Sequence, residues 1–260
     1  MTAPVFCVDA LPDAALDRFV IDGDEARHAA RVRRLRTGEE IDVVDGRGRR
    51  ARGTVTAVAR DAVTITVDEV IDEPAPQRRI IVIQALAKGD RGERAVEVLT
   101  EVGVDVIVPW SAARSVATWE AERIQRGLAR WRATAREAMK QSRRAWMPLV
   151  SEPVDLAGAC SWIEQAGAAF VLDAKGPTLP DALRADSGSG DWVLVVGPEG
   201  GIEADEIAAF EAAGARCAGL GPTVLRTSTA GPVAVAIIAA TLRWSGSAGT
   251  DRRSMTGSST

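Results

Sequence analysis

The chain has 260 residues, a net charge of -4 and 46% apolar residues, enough for one large or two modest domains with a real core. No apolar run approaches the ~20 residues of a membrane helix. The start, MTAPVFCVDALPDAALDRF, lacks a basic stretch followed by a long apolar one, so a cytoplasmic chain is expected. Three scattered cysteines, Cys7, Cys160 and Cys217, and the single His28 exclude a disulfide framework, a metal cluster and most histidine chemistry.

The first segment runs to about Ile71. Five arginines and no acid stand between Arg27 and Arg36, and Arg47, Arg49, Arg50 and Arg52 follow. On an acidic chain this pattern suits a localised polyanion site. It equally suits a solvated face paired with Glu39, Glu40, Asp42 and Asp45, and charge alone does not choose. Val55 and Ala57, then Val63, Ile65 and Val67, alternate with the period of strands, and Asp45-Gly46 and Arg60-Asp61 are turn signals. A small β-barrel or curled sheet is expected over 1–73. Asp72-Glu73-Pro74-Ala75-Pro76 then reads as a linker.

From 74 to 245 the style changes. Strands are predicted at Arg79–Leu86, Val104–Pro109, Ala168–Asp173 and Trp192–Val196. Helices are predicted at Arg91–Val102, from Glu120 to about Gln141, at Glu203–Ala213 and at Gly231–Trp244. Strands apolar on both faces, alternating with helices, indicate an α/β domain with a covered parallel sheet. The Ser/Gly/Thr-rich stretch 246–260 is expected to be a disordered tail.

Two corners carry the chemistry. VLVV runs into Gly197-Pro198-Glu199-Gly200-Gly201 and then a helix. Glycines after a buried strand let a ligand approach the main chain. No lysine follows, so this is no phosphate-binding P-loop, and the spacing is not that of a dinucleotide fingerprint. A tight turn without a ligand is the bland alternative. The second corner is GLGPTVLRTSTAG, with Leu220, Gly221, Leu225, Arg226, Thr229 and Ala230 before an apolar helix that Ser228 or Thr229 is placed to cap. A helix start repels positive charge, so Arg226 calls for an anionic partner or substrate.

Strand-GPEGG-helix followed by LG-x-x-x-LR-x-x-TA resembles the SPOUT class of RNA methyltransferases, and more closely the ribosomal small-subunit uridine-N3 methyltransferases (the RsmE family). The likeness covers nearly the whole chain. HAARVRRLRTG from His28 to Gly38 follows the family's H-x-x-x-V-L-R-x-x-x-G. Lys88-Gly89-Asp90-Arg91, Glu101 to Val104, Pro109 with Arg114-Ser115, and Trp131, Glu137-Ala138, Gln141-Ser142, Arg144 and Pro148 follow its later elements in order. The resemblance implies a PUA-like barrel over 1–73 and a knotted α/β methyltransferase domain over 74–245. It also implies a homodimer, S-adenosylmethionine as cofactor, no metal, and 16S ribosomal RNA of the assembled small subunit as substrate. Carried onto this chain, it places the cofactor against Leu172, Gly197, Pro198, Glu199, Gly200, Gly201, Ile202, Leu220, Gly221, Leu225, Arg226, Thr229 and Ala230. RNA is expected on Arg33, Arg34, Arg36, Arg114, Gln141 and Arg144. Arg226 is the candidate for stabilising the oxyanion of a deprotonated uracil, and Glu199 for accepting its proton. The family's Glu-Thr-Ala after the arginine is here Ser228-Thr229-Ala230, so no role of that glutamate carries over. Ribose 2'-O transfer, a non-catalytic RNA-binding assembly factor and a nucleotide-binding protein are the competing readings.

Overall fold

The structure, a computed structural model, describes residues 3–116, 119, 121–185 and 188–244; the tail expected from 246 onward lies outside the described residues. The chain forms two compact units. The first takes Met1–Gln77 and Ala129–Leu149, and the second takes Arg78–Leu128 and Val150–Thr260. A boundary read in chain order at 73/74 assigns 129–149 to the second domain; in space this stretch clusters with the first unit.

The first unit holds β1 (Val5–Cys7), β2 (Leu16–Asp22), α1 (Gly23–Arg31), β3 (Glu40–Val44), β4 (Arg49–Val58) and β5 (Ala62–Asp72). They form one five-stranded sheet in the order β1-β3-β4-β5-β2, parallel only between β1 and β3. Val63, Ile65 and Val67 bury alternate positions of β5, as the period predicts. On β4 the alternation breaks. Val55 is buried but Ala57 is exposed, because the register shifts between them and the bulge turns later side chains outward. The Asp45 carboxylate accepts from the Arg47 and Arg49 amides at 2.7 and 3.1 Å, which builds the first turn. Ala59 N–H bonds to the Ala62 carbonyl at 2.8 Å across the second.

Residues 129–149 complete this unit. Met139 and Ala145 join Val5, Cys7 and Val44 in a small core. Buried Lys140 bonds to Glu25 at 2.9 Å and Glu137 at 2.7 Å. Burial alone pulls the ammonium pKa down, but these two carboxylates leave it raised, so the group stays charged. The Trp146 indole donates to the Glu73 carbonyl at 3.1 Å and lies where a Cβ on Gly48 would stand, 2.5 Å away.

The second unit runs β6 (Ile80–Ala85), α2 (Arg91–Glu101), β7 (Val106–Trp110), α3 (Ala121–Gln141, part of which clusters with the first unit), β8 (Leu149–Val150), α4 (Leu156–Glu164), β9 (Ala168–Leu172), α5 (Leu179–Arg184), β10 (Trp192–Val196), α6 (Ala204–Ala212), β11 (Arg216–Ala218) and α7 (Thr227–Ile238). A π-helical turn at Ala239–Arg243 follows α7. Glu120, the expected start of α3, lies outside the described residues. The sheet order is β11-β9-β10-β6-β7-β8, and the pairs from β11 through β7 are parallel. Every residue of β6, β7 and β10 is buried. One face packs Ile81, Ile83, Val193 and Val195 against Ala159 and Ile163 of α4 and Phe210 of α6, with Phe210 edge-on to Trp110 at 5.2 Å. Helix α7 packs against α2, β6 and β10. Among the described residues no helix is long and apolar enough to cross a membrane.

One crossing constrains the unit. The stretch after β9 pairs closely with the chain leaving β11, Thr178 bridging Gly219 in parallel: Gly219 N–H bonds to the Pro177 carbonyl and Leu179 N–H to the Gly219 carbonyl, both at 2.8 Å. A Cβ on Gly176 would stand 2.4 Å from the backbone of Cys217. Gly176→Val is therefore expected to lower stability by about 1–3 kcal/mol through overpacking against main chain that cannot turn aside. A urea midpoint equal to that of the wild type would remove this account of the crossing.

Candidate functional site

The strand order sets β9, β10 and β11 near one another with their carboxyl ends on one edge, the place where open parallel sheets bind ligands. A cavity of about 480 Å³ opens there, within the usual range for small-molecule sites. Leu172, Asp173 and Ala174 line it from the end of β9. Val196 to Glu199, Gly201 and Ile202 line it from β10 and its loop. Val224 to Thr227 and Ala230 close it from the far side, with Arg91 at its mouth. An adjoining cleft of about 130 Å³ takes Leu220 and Gly221 and shares Leu172, Leu225 and Ala230.

The GPEGG loop is tight for identifiable reasons. A Cβ on Gly197 would meet Ile202 at 2.6 Å. Gly201 has φ 76° and donates to the Pro198 carbonyl at 2.9 Å, a turn that favours glycine. A reciprocal capping box between Glu203 and Glu206 then starts α6. The second oxygen of buried Glu206 accepts from Ala113 N–H at 2.7 Å, and Arg114 bonds to the Gly200 carbonyl at 3.2 Å and Glu203 at 3.3 Å. The loop is thus held from the segment after β7.

Glu199 is not a free carboxylate. It accepts from the Arg91 guanidinium at 2.8 Å and the Lys88 amide at 3.4 Å. Burial pushes its pKa up, but the Arg91 hydrogen bond, the backbone N–H donors and the Arg91 charge outweigh burial and hold the carboxyl below its ordinary range.

Arg226 is itself the N-cap residue of α7, and no side chain caps this helix. Its carbonyl accepts from Thr229 and Ala230 N–H at 2.8 and 2.9 Å. This corrects the expectation that Ser228 or Thr229 caps a helix from Gly231: α7 begins four residues earlier, at Thr227, so both already lie inside its first turn. The exposed Arg226 guanidinium makes no ion pair or hydrogen bond among the described residues, and the first turn of α7 contains no acid. The Thr227 hydroxyl donates to the Gly197 carbonyl at 2.8 Å, joining the two glycine corners.

Of the sequence-derived cofactor candidates, Leu172, Gly197, Pro198, Glu199, Gly201, Ile202, Leu220, Gly221, Leu225, Arg226 and Ala230 line the cavity or its adjoining cleft. Gly200 instead sits against Arg114, where its missing Cβ would be 3.0 Å from that side chain, and Thr229 is exposed and lines neither. Asp173, Ala174, Arg91, Val224 and Thr227 belong to the lining as well, outside the sequence-derived set. A strand end carrying Asp173 was the available signal for the first of these.

The two arginine clusters behave differently. Arg49 pairs with Asp13 at 2.6 Å and Asp72 at 2.8 Å. Arg50 is buried against Asp42 at 3.1 Å and Glu73 at 2.7 Å, and Arg52 reaches Asp42 and Glu69 at 3.4 Å each. These three are paired, but of the expected acids only Asp42 takes part; the other partners are Asp13, Glu69, Asp72 and Glu73, and Arg50 is buried rather than solvated. Arg33, Arg34 and Arg36 are exposed with no ion pair among the described residues, and Arg34 has φ 53°, which non-glycine residues rarely adopt. Gln141, His28, Arg33 and Arg143 line a polar cleft of about 70 Å³ in the first unit. Arg144 is half-buried in the same unit, while Arg114 belongs to the second unit and supports the GPEGG loop.

Comparison with known proteins agrees with this architecture. The RNA methyltransferase domain family matches residues 73–239, and the RNA methyltransferase PUA domain family matches residues 21–68. Ribosomal RNA small subunit methyltransferase E of Mycobacterium bovis is 43% identical, covering 95% of this chain and 96% of that one. Its counterpart in Bacillus subtilis is 30% identical, covering 82% and 86%. A crystal structure of ribosomal RNA small subunit methyltransferase E from Neisseria gonorrhoeae bound to S-adenosyl methionine is 25% identical, with TM-score 0.80 over 92% of this chain and 98% of that one. The curled sheet is thus a PUA-like domain and the parallel sheet a SPOUT-type methyltransferase domain. With both domains matched in order and such identity along nearly its whole length, this chain belongs to the ribosomal RNA small subunit methyltransferase E family.

Proposed function

We propose that this protein methylates N3 of a specific uridine in 16S ribosomal RNA, with S-adenosylmethionine as donor. The observation that carries the reading is the 480 Å³ cavity at the strand ends, lined by both glycine corners and edged by Arg226, which has no protein partner among the described residues. The residues present suit this cofactor. Leu172, Ile202, Val224 and Leu225 offer apolar walls for an adenine, and Gly197 and Gly201 admit close approach to the main chain. Asp173 and Glu199 offer negative charge, and Arg226 a partner for a carboxylate or an oxyanion. The bound cofactor supplies an electrophilic methyl group on a sulfonium.

The protein's own task is to make a poor nucleophile reactive. Uracil N3 carries a proton between two carbonyls, and its loss leaves an anion spread over O2, N3 and O4. Arg226, beside the unopposed positive end of α7, is placed to stabilise that charge. Glu199 is the nearby loop carboxylate and the candidate proton acceptor. Its bonds to Arg91 and to the Lys88 amide are both accepted by Oε1, which ties the loop to α2 and leaves Oε2 to take the proton. Arg33, Arg34 and Arg36 are assigned to RNA phosphates, with Gln141 and Arg144 in the same unit contributing to that face. Arg114 enters as support for the loop, from which its half-exposed guanidinium remains within reach of RNA. Family membership supports a knotted chain in this domain and a cytoplasmic homodimer acting on the small subunit.

The direct test is to incubate the protein with labelled S-adenosylmethionine and small subunits from cells lacking it, then to map the modified base by mass spectrometry. A methyl group on uridine N3 is expected; transfer to a ribose 2'-oxygen, or none at all, overturns the reading. In the same assay, at saturating cofactor, Arg226→Ala is expected to lose about 10²–10³-fold in turnover. Normal turnover would remove its assigned role.

Glu199→Gln is expected to weaken cofactor binding about tenfold through loss of the charged tie to Arg91. The pH dependence has a definite sign. A carboxyl held below its ordinary pKa of 4.5 keeps its ion pair above that pH and loses it as pH falls through the lower, folded value. Cofactor affinity measured by calorimetry should therefore hold from neutral pH down past 4.5 and fall only below it. A fall that begins well above 4.5 would point to another group. Arg33→Glu with Arg36→Glu should leave cofactor affinity intact, weaken RNA binding, and reduce the slope of log affinity against log salt by about 1 for each phosphate no longer neutralised. An unchanged slope would move the RNA face elsewhere.

A further inference from the structure

The most exposed apolar side chain and the basic clefts are accounted for by the site or the RNA face, but one group in the core of the second unit is not. Gln84 occupies β6 in register with Val196 of β10 and Pro109 of β7, and it is fully buried. Around it β6 reads Ile-Ile-Val-Ile-Gln-Ala, with every residue buried. A primary amide at such a point needs a physical reason, because an apolar side chain of similar volume would pack there without desolvating any polar group.

Its hydrogen bonds supply the reason. The Gly197 carbonyl can only accept, so the Thr227 hydroxyl, 2.8 Å away, must donate to it. That leaves the Thr227 oxygen to accept, and the only orientation of Gln84 that satisfies it points Nε2 toward Thr227, at 3.0 Å. Nε2 also lies 3.5 Å from the Thr227 carbonyl. The amide oxygen is thereby turned the other way, toward Gly231 of α7. There it is buried without a hydrogen-bond partner among the described residues. A Cβ on Gly231 would lie 3.4 Å from this oxygen and 3.3 Å from Leu99 and Val196, so α7 lies close against the sheet at this point. The polarity of the chain is fixed end to end: Gln84 to Thr227 to Gly197.

The two members of this relay beyond Gln84 border the chemistry. Thr227 follows Arg226 directly and lines the cavity, and Gly197 is the first residue of the GPEGG loop. We propose that Gln84 is a positioning residue for methyl transfer: from the middle of the sheet it holds the α7 N-terminus to the GPEGG loop, and so sets the width of the cofactor cavity and the placement of Arg226. This rests on the proposed function for the identity of the ligand. Nε2 also lies 3.3 Å from the Ala85 carbonyl of its own strand. An apolar side chain would serve packing alone without desolvating an amide, whereas an amide whose donor end faces Thr227 ties two loops together.

The test separates positioning from simple support of the fold. Gln84→Leu removes both the donor and the unpaired oxygen. Its melting temperature is expected to equal or exceed that of the wild type, while its affinity for S-adenosylmethionine falls about tenfold, the scale of one lost buried hydrogen bond. Thr227→Val, which keeps the shape of the side chain and removes the hydroxyl, should lose affinity by a similar factor, and Thr227→Ser, which keeps it, should recover most of that loss. If Gln84→Leu binds the cofactor as tightly as the wild type, or if its affinity falls only in step with its melting temperature, Gln84 does not position the site. Should Gln84→Leu fail to fold, the Thr227 pair decides: equal affinity in Val and Ser variants overturns the relay. A wild-type chain that takes up no S-adenosylmethionine overturns the enzymatic reading itself, and this inference with it.

Discussion

The site depends on three parallel strands ending together. Because β9, β10 and β11 run the same way, their carboxyl ends face one edge, and the three segments that leave them must pass one another in little space. The chain solves the crowding with missing side chains. Gly176 lies on the backbone of β11, and Gly197 lies under Ile202. Gly201 turns the loop back at φ 76°. The cavity is what remains once these close approaches have been made. Its walls are therefore mostly main chain and small apolar groups, and polar side chains are few enough for each to have an identifiable task.

The arginines divide by the same logic of partnership. Those on β4 face acids on β3 and β5 across the sheet, and these charges belong to the fold. Those after α1 have no such strand opposite, and remain exposed. In the second unit Arg91 is bound to Glu199 and Arg114 to the GPEGG loop, while Arg226 has neither an acid nor a cap beside it. A charge left unpaired next to a helix N-terminus is unfavourable in the resting protein. That cost is offset only when an anion arrives, which is the state the proposed reaction passes through.

Much of this was legible in the amino-acid sequence, and the failures have physical causes. β10 is bounded as predicted, because an apolar run between Asp191 and a glycine corner leaves no other choice. Helix α1 gives no such signal: its buried face is only Ala26 and Ala29, too little apolar mass to show a period among arginines. Ala57 reads as inward because a bulge cannot be seen in an alternation. The allegiance of 129–149 to the first unit is a non-local fact, carried by Met139 and Ala145 meeting Val5 and Val44, and no local pattern reports it. The glycine corners were legible as a candidate site because two of them follow apolar strands and the second carries an arginine ahead of a helix, although a tight turn without a ligand would use the same residues. Arg91 was not, because only the sheet order brings it to the same cavity, and Asp173 gave no more signal than its place at a strand end.

Replacement of the family's glutamate by Ser228 takes its meaning from this electrostatic arrangement. With serine there, the first turn of α7 holds no acid, so the helix dipole and Arg226 add rather than cancel. The acid of the lining that is not already paired with an arginine is Asp173 at the end of β9, since Glu199 is bound to Arg91. A cavity with a positive pole on α7 and a negative one on β9 can orient a ligand that is itself cationic at one point and anionic at another. It can also stabilise a base that becomes anionic only as it reacts, without a carboxylate at position 228. In the proposed reaction the chemistry falls to the two poles, and the hydrogen bonds from Gln84 through Thr227 to Gly197 join the α7 start to the GPEGG loop.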